Sequence, residues 1–74
     1  MNSRIVLTPG TCGGRPRIDG TRMTVRAVLE YMAGGDSIDT LIEYFPHLTR
    51  DDILACIGYA AEHVDPPSFD IAAE

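Results

Sequence analysis

The chain has 74 residues, 45% of them hydrophobic and 23% charged, with a formal net charge of −5. That composition is too apolar for a wholly disordered chain, and the length is that of one small domain whose own core supplies roughly 3–5 kcal/mol of net stability, so self-association or a bound partner is expected. The charge is unevenly placed: residues 1–26 carry Arg4, Arg15, Arg17, Arg22 and Arg26 against the single acid Asp19, whereas from residue 27 onward ten acids face one base, Arg50.

Ile5-Val6-Leu7, closed by Pro9-Gly10, predicts a short strand and a turn. In the stretch CGGRPRIDGTRMTV, residues 12–25, extended residues flank Asp19-Gly20, and Asp-Gly favours the positive φ angles of a two-residue hairpin turn. Pro16 lacks the N–H a ladder needs, which confines that arm to an edge or irregular strand. From Thr24 the period becomes helical. Val25, Val28, Leu29 and Met32 stand at i, i+3, i+4 and i+7, with Thr24 as N-cap and Gly34-Gly35 as the stop. Asp36 or Ser37 can cap a second helix, in which Ile38, Leu41, Ile42 and Phe45 repeat the spacing until Pro46 ends it.

After a four-residue turn, PHLT, Thr49 caps a third helix with Asp51 and Asp52 in its first turn, where the helix dipole favours acids. Ile53, Ile57, Ala60, Ala61 and Val64 form its expected buried face, flanked by Leu54 and Cys56. Pro66-Pro67 then stop the helix and leave residues 65–74 as a flexible tail. Phe69 and Ile71, two apart in it, share one side of any extended segment and could be presented together to a groove or a sheet edge. The expected architecture is mainly α: an N-terminal β arm or hairpin over residues 1–23, then a three-helix, helix-turn-helix-like bundle over 24–64.

The chemistry points away from catalysis. The chain has no serine in a nucleophile elbow, no paired histidines and no cysteine with a histidine at a recognisable spacing, so an enzyme is not expected. Cys12, His47, Cys56 and His63 lack the close CxxC or HxxxH pair that nucleates zinc binding, and no metal or cofactor is expected. With no secretion-signal pattern at the N-terminus and no apolar run near membrane-spanning length, the expectation is a cytoplasmic protein with free thiols and no membrane contact.

Every base is arginine, which suits planar, bidentate contacts to phosphate or carboxylate. Gly13-Gly14-Arg15 and Gly20-Thr21-Arg22 could offer N–H groups and guanidinium to phosphate, but neither stretch matches a nucleotide-binding motif, and Asp19 beside Gly20 reads as turn chemistry. The second and third helices have the proportions of a DNA-binding helix-turn-helix. At the head of the reading helix Thr49 and Arg50 stand beside Asp51 and Asp52, and that acidity opposes phosphate attraction. Any grip on DNA then falls mainly to the arm: Arg4, Arg15, Arg17, Arg22 and Arg26. The alternative is that these arginines pair with the body's own carboxylates.

The order of features resembles the small prokaryotic "domain of unknown function 433" family, whose pattern is a GG-[KR]-P-x-[IV]-x-GTR-[IM]-x-V block, a helix ending in Gly, an acid-led helix, and Pro-x-L-[ST] opening a last helix. GGRPRIDGTRMTV, LEYMAGGDSIDTLIEYFPHLT and DDILACIGYAAEH fit it over about residues 4–63. Gly13, Gly14, Arg15, Pro16, Gly20, Thr21 and Arg22 are the shared signature. Thr24 departs from the proline many members have there. The resemblance implies a helix-turn-helix-like core with an N-terminal β element and a role as antitoxin to a PIN-like ribonuclease toxin. On that basis the protein is expected to form a homodimer through its N-terminal strands, to bind its own promoter DNA with the arm, and to occlude the toxin with its acidic body or tail, Phe69 and Ile71 being the tail's toxin-binding contacts. The alternative function is a protein-interaction module that dimerises and has no DNA role.

Overall fold

The computed structural model describes residues 4–64. Strand β1 (Ile5–Val6) pairs antiparallel with β2 (Arg17–Ile18) in the register Ile5 to Ile18 and Val6 to Arg17. The chain then doubles back a second time. Thr21 N–H donates to the Ile18 carbonyl (3.1 Å), Ile18 N–H to Met23 (2.9 Å) and Val25 N–H to Pro16 (3.0 Å), so Arg17 lies between β1 and a bridge to Thr24. The reversal falls at Asp19-Gly20 as the sequence implies, but its geometry differs. Only Gly20 takes positive φ (+81°), at the third position of a turn from Ile18 to Thr21, which is type II geometry within a four-residue loop rather than a two-residue primed turn.

Helix α1 (Val25–Ala33) starts where Thr24 Oγ1 accepts the Ala27 N–H (3.1 Å) and ends at Gly34, followed by Gly35 at φ +107°. For α2 (Ile38–Tyr44) the cap is Ser37 rather than Asp36, its Oγ accepting Thr40 N–H at 3.1 Å. Helix α3 (Arg50–Val64) opens on a reciprocal cap. Thr49 Oγ1 accepts Asp52 N–H at 3.1 Å while Asp52 Oδ2 accepts Thr49 N–H at 3.0 Å, satisfying two N–H groups that a bare helix end leaves orphaned.

The core is Ile18, Val25, Val28, Leu41, Leu48, Ile53 and Cys56, one cluster drawn from β2, all three helices and the turn before α3. Leu48 has no place in the helical periodicity, yet it anchors that turn with 2% of its surface exposed. The buried face of α3 is rotated and shortened relative to expectation: Cys56 lies at its centre beside Ile53, whereas Ala61 is exposed and Val64 is 71% exposed. Length explains the difference. At about 1.5 Å per residue, α3 outruns the shorter α1 and α2, and its last turn borders α1 only across an open groove. Among the described residues no helix is long and apolar enough to cross a membrane.

Candidate interaction surface

The arm's arginines divide into those the fold employs and those it leaves outward. Arg4 Nη1 donates to Asp52 Oδ1 at 2.9 Å, and Nη2 lies 3.7 Å from Asp51 Oδ2, tying the start of β1 to the head of α3. Arg17 is half-buried. Its Nη1 donates to the Thr21 carbonyl (3.0 Å) and its Nη2 to Thr8 Oγ1 (3.0 Å), while its Nε is buried with no hydrogen-bond partner. Arg26 reaches Glu30 one turn along α1, Nε to Oε2 at 3.1 Å. Arg15, Arg22 and Arg50 are exposed and make no ion pair among the described residues.

The backbones of Arg15 and Arg22 are both hydrogen-bonded to Cys12. Residues 12–14 form a tight left-handed turn, with φ of +53° at Cys12, +68° at Gly13 and +77° at Gly14. Gly14 N–H donates to Thr11 (2.9 Å) and Arg15 N–H to Cys12 (3.2 Å), so these groups close the turn and are not aimed outward at an anion. The Cys12 thiol donates to the Arg22 carbonyl at 3.4 Å, which joins the turn to the second reversal. The other signature residues build the same arm. Thr21 Oγ1 donates to the Ile18 carbonyl (2.9 Å) and accepts Met23 N–H (3.0 Å), Asp19 N–H donates to the Arg4 carbonyl (2.7 Å), Gly20 supplies the positive φ, and the Pro16 carbonyl receives Val25 N–H.

At the head of α3, Thr49 is committed to the cap, and Arg50 alone offers a charge not engaged elsewhere. Burial would raise the Asp52 carboxyl's pKa, but the Thr49 N–H, the Arg4 guanidinium and the Thr49 hydroxyl together outweigh it and hold the group below its ordinary 3.8. Arg4 thereby offsets part of the acidity that opposes phosphate at this end. Cys56 is a neutral thiol, pushed up to about 11 by burial and then by the Asp52 charge. His47 is exposed in the turn, and His63 Nδ1–H donates back to the Tyr59 carbonyl (2.8 Å) with the two rings 4.0 Å apart. The sequence-based contacts Phe69 and Ile71 lie outside the described residues.

Two surface features have no counterpart in the linear reading. Between α1 and α3 runs an open, largely apolar groove of about 520 Å³, floored by Pro16, Val25, Leu29, Ala33 and Tyr59 and rimmed by Arg15, Arg26, Glu30 and His63. Outside the groove lining, Tyr31 of α1 forms a ring cluster with Tyr44 and Phe45, with centroids 5.5–6.2 Å apart. The helical stripe Arg26-Leu29-Glu30-Ala33 was a usable signal for the groove. None foretold the aromatic cluster, because it depends on how α2 packs on α1.

No curated protein matches the chain. Among solved structures it is similar to the crystal structure, at 2.00 Å resolution, of a DUF433 member protein from Anabaena variabilis, with 34% identity and a TM-score of 0.80 over 82% of this chain and 60% of that one. The chain thus spans about three fifths of that protein's length. The profile of the family described as "protein of unknown function (DUF433)" covers residues 5–60, most of the arm and most of the bundle, and the chain belongs to that family.

Proposed function

We propose that this protein is the antitoxin of a toxin–antitoxin pair, a non-enzymatic cytoplasmic chain that neutralises a PIN-like ribonuclease. The observation that carries the reading is the pair Arg15 and Arg22, exposed on a hydrogen-bonded arm and without ion-pair partners among the described residues of a chain whose net charge is −5. A metal-dependent ribonuclease concentrates carboxylates at its centre. Guanidinium groups held on a stiff turn can meet those carboxylates bidentately and compete with the metal ions. The toxin class is what the resemblance carried by the signature block, GGRPRIDGTRMTV, implies.

Binding to its own promoter is a second part of the reading, favoured by the α2–α3 helix-turn-helix and by Arg4, which offsets the acids at the head of α3. Finding a PIN-like nuclease gene beside this one and co-expressing the two tests the first part. Growth restored by the wild-type chain and lost with Arg15→Glu/Arg22→Glu supports it, and growth arrest that the wild-type chain does not relieve rejects it. A mobility-shift titration with DNA upstream of the gene separates the second part from a pure protein-interaction module. Specific binding that weakens steeply with salt supports a DNA role, and no shift at low salt removes it.

A further inference from the structure

We infer that the α1–α3 groove is the contact between two copies of this chain, α1 of each lying antiparallel to α1 of the other. The groove-facing stripe of α1 is Arg26, Leu29, Glu30 and Ala33, positions i, i+3, i+4 and i+7 of one helix face. Leu29 and Ala33 make it partly apolar, and Arg26 and Glu30 add one base and one acid four residues apart, which pair with each other in the single chain. A two-fold contact needs a surface complementary to itself, and this stripe meets that condition. When two such helices cross antiparallel at the level of Val28, midway between positions 26 and 30, Arg26 of each copy faces Glu30 of the other, and the two Leu29 side chains lie about 3 Å apart along the helix direction on either side of the axis. Ala33 lets the backbones approach, and Val64, 71% exposed at the end of α3, gains cover at the groove's edge.

Charge also decides against a basic occupant. A strongly basic segment would be opposed by Arg15 and Arg26, whereas a second copy brings a Glu30 to each Arg26. The groove is a better place for the contact than the N-terminal strands, which are two residues long and already paired with each other. A core of seven residues gives the chain reason to bury more apolar surface by association. The assignment does not depend on the toxin reading, and its failure would leave that reading standing.

Sedimentation of the full chain, with charge-reversed variants, tests the contact. Arg26→Glu places two acids opposite each other's Glu30, and Glu30→Arg places two bases opposite each other's Arg26. Each variant is expected to weaken the dimer at least about tenfold, because like charges across an interface destabilise it. Mixing the two variants brings an all-acidic flank against an all-basic one, so that both crossing pairs again join opposite charges, and the mixture is expected to form a heterodimer of wild-type affinity. Both side chains are largely exposed, at 79% and 64%, so the monomers stay folded, which circular dichroism checks. Ala33→Arg, on the exposed side of the stripe, is expected to block both homodimer and heterodimer. A wild-type chain that stays monomeric at high micromolar concentration overturns the assignment, as does a groove covered only when another protein is added. So does a dimer that the single reversals leave intact, or single variants that remain monomeric when mixed.

Discussion

The Arg4 guanidinium donates to the Asp52 carboxylate at 2.9 Å across 48 positions of sequence, while the same carboxylate accepts the N–H of Thr49. One side chain thus closes the first turn of α3 and fastens the β arm to the helical body. Asp52 side-chain exposure is only 12%, so removing its partners leaves a charge with little water to replace them. Asp52→Ala is expected to cost about 1–3 kcal/mol through loss of the cap and the pair, and Arg4→Ala about 0.5–1 kcal/mol because Arg4 is half exposed and the Thr49 contacts remain. Urea titrations check both, with the midpoint falling at unchanged slope.

Acid should loosen the same joint. The Asp52 carboxyl titrates below its ordinary 3.8 in the folded chain, so the folded state binds its proton less readily than the unfolded state does. Its contribution is therefore complete above about pH 5 and is lost as pH falls through 3.8 toward the folded value. Urea midpoints measured from neutral pH downward should drop in that window. The Asp52→Asn chain should start less stable and show a shallower drop; an equal drop in both chains would place the acid sensitivity elsewhere.

Two glycines should respond to alanine with opposite signs. At Gly20 an added Cβ meets nothing within 4 Å, so the cost of Gly20→Ala is the backbone strain of φ +81°, about 1 kcal/mol. Gly58 is exposed within α3 at ordinary helical φ, again with nothing within 4 Å of a Cβ, and Gly58→Ala should stabilise the chain by about 0.5–1 kcal/mol. Thermal unfolding of the two variants, run side by side, reads both signs.

Local signals were legible wherever the physics is local. Thr24, Ser37 and Thr49 mark helix starts because a hydroxyl reaches an N–H three residues on, and Gly34-Gly35 and Pro46 mark ends for equally short-range reasons. The rest depends on distance in space. Periodicity alone could not centre α3 on Cys56 or bury Leu48, since both outcomes depend on how α3 and the turn before it pack against β2, α1 and α2. Nor could composition sort the arginines: Arg4 and Arg17 look identical in sequence to Arg15 and Arg22, and only the folded arm shows which ones it uses.

That sorting makes the last prediction. Arg17→Ala removes donors from the Thr21 carbonyl and Thr8 Oγ1, both inside the arm, and should lower stability by about 1–2 kcal/mol. Arg15→Ala and Arg22→Ala remove no ion pair among the described residues and should shift the urea midpoint by no more than about 0.5 kcal/mol each. If these arginines serve a partner, the two exposed substitutions should weaken partner binding without touching stability, whereas Arg17→Ala should weaken it only to the extent that it unfolds the arm. Stability and binding measured on the same three variants discriminate the roles. Losses of binding that simply track losses of stability would mean that Arg15 and Arg22 belong to the fold as Arg17 does.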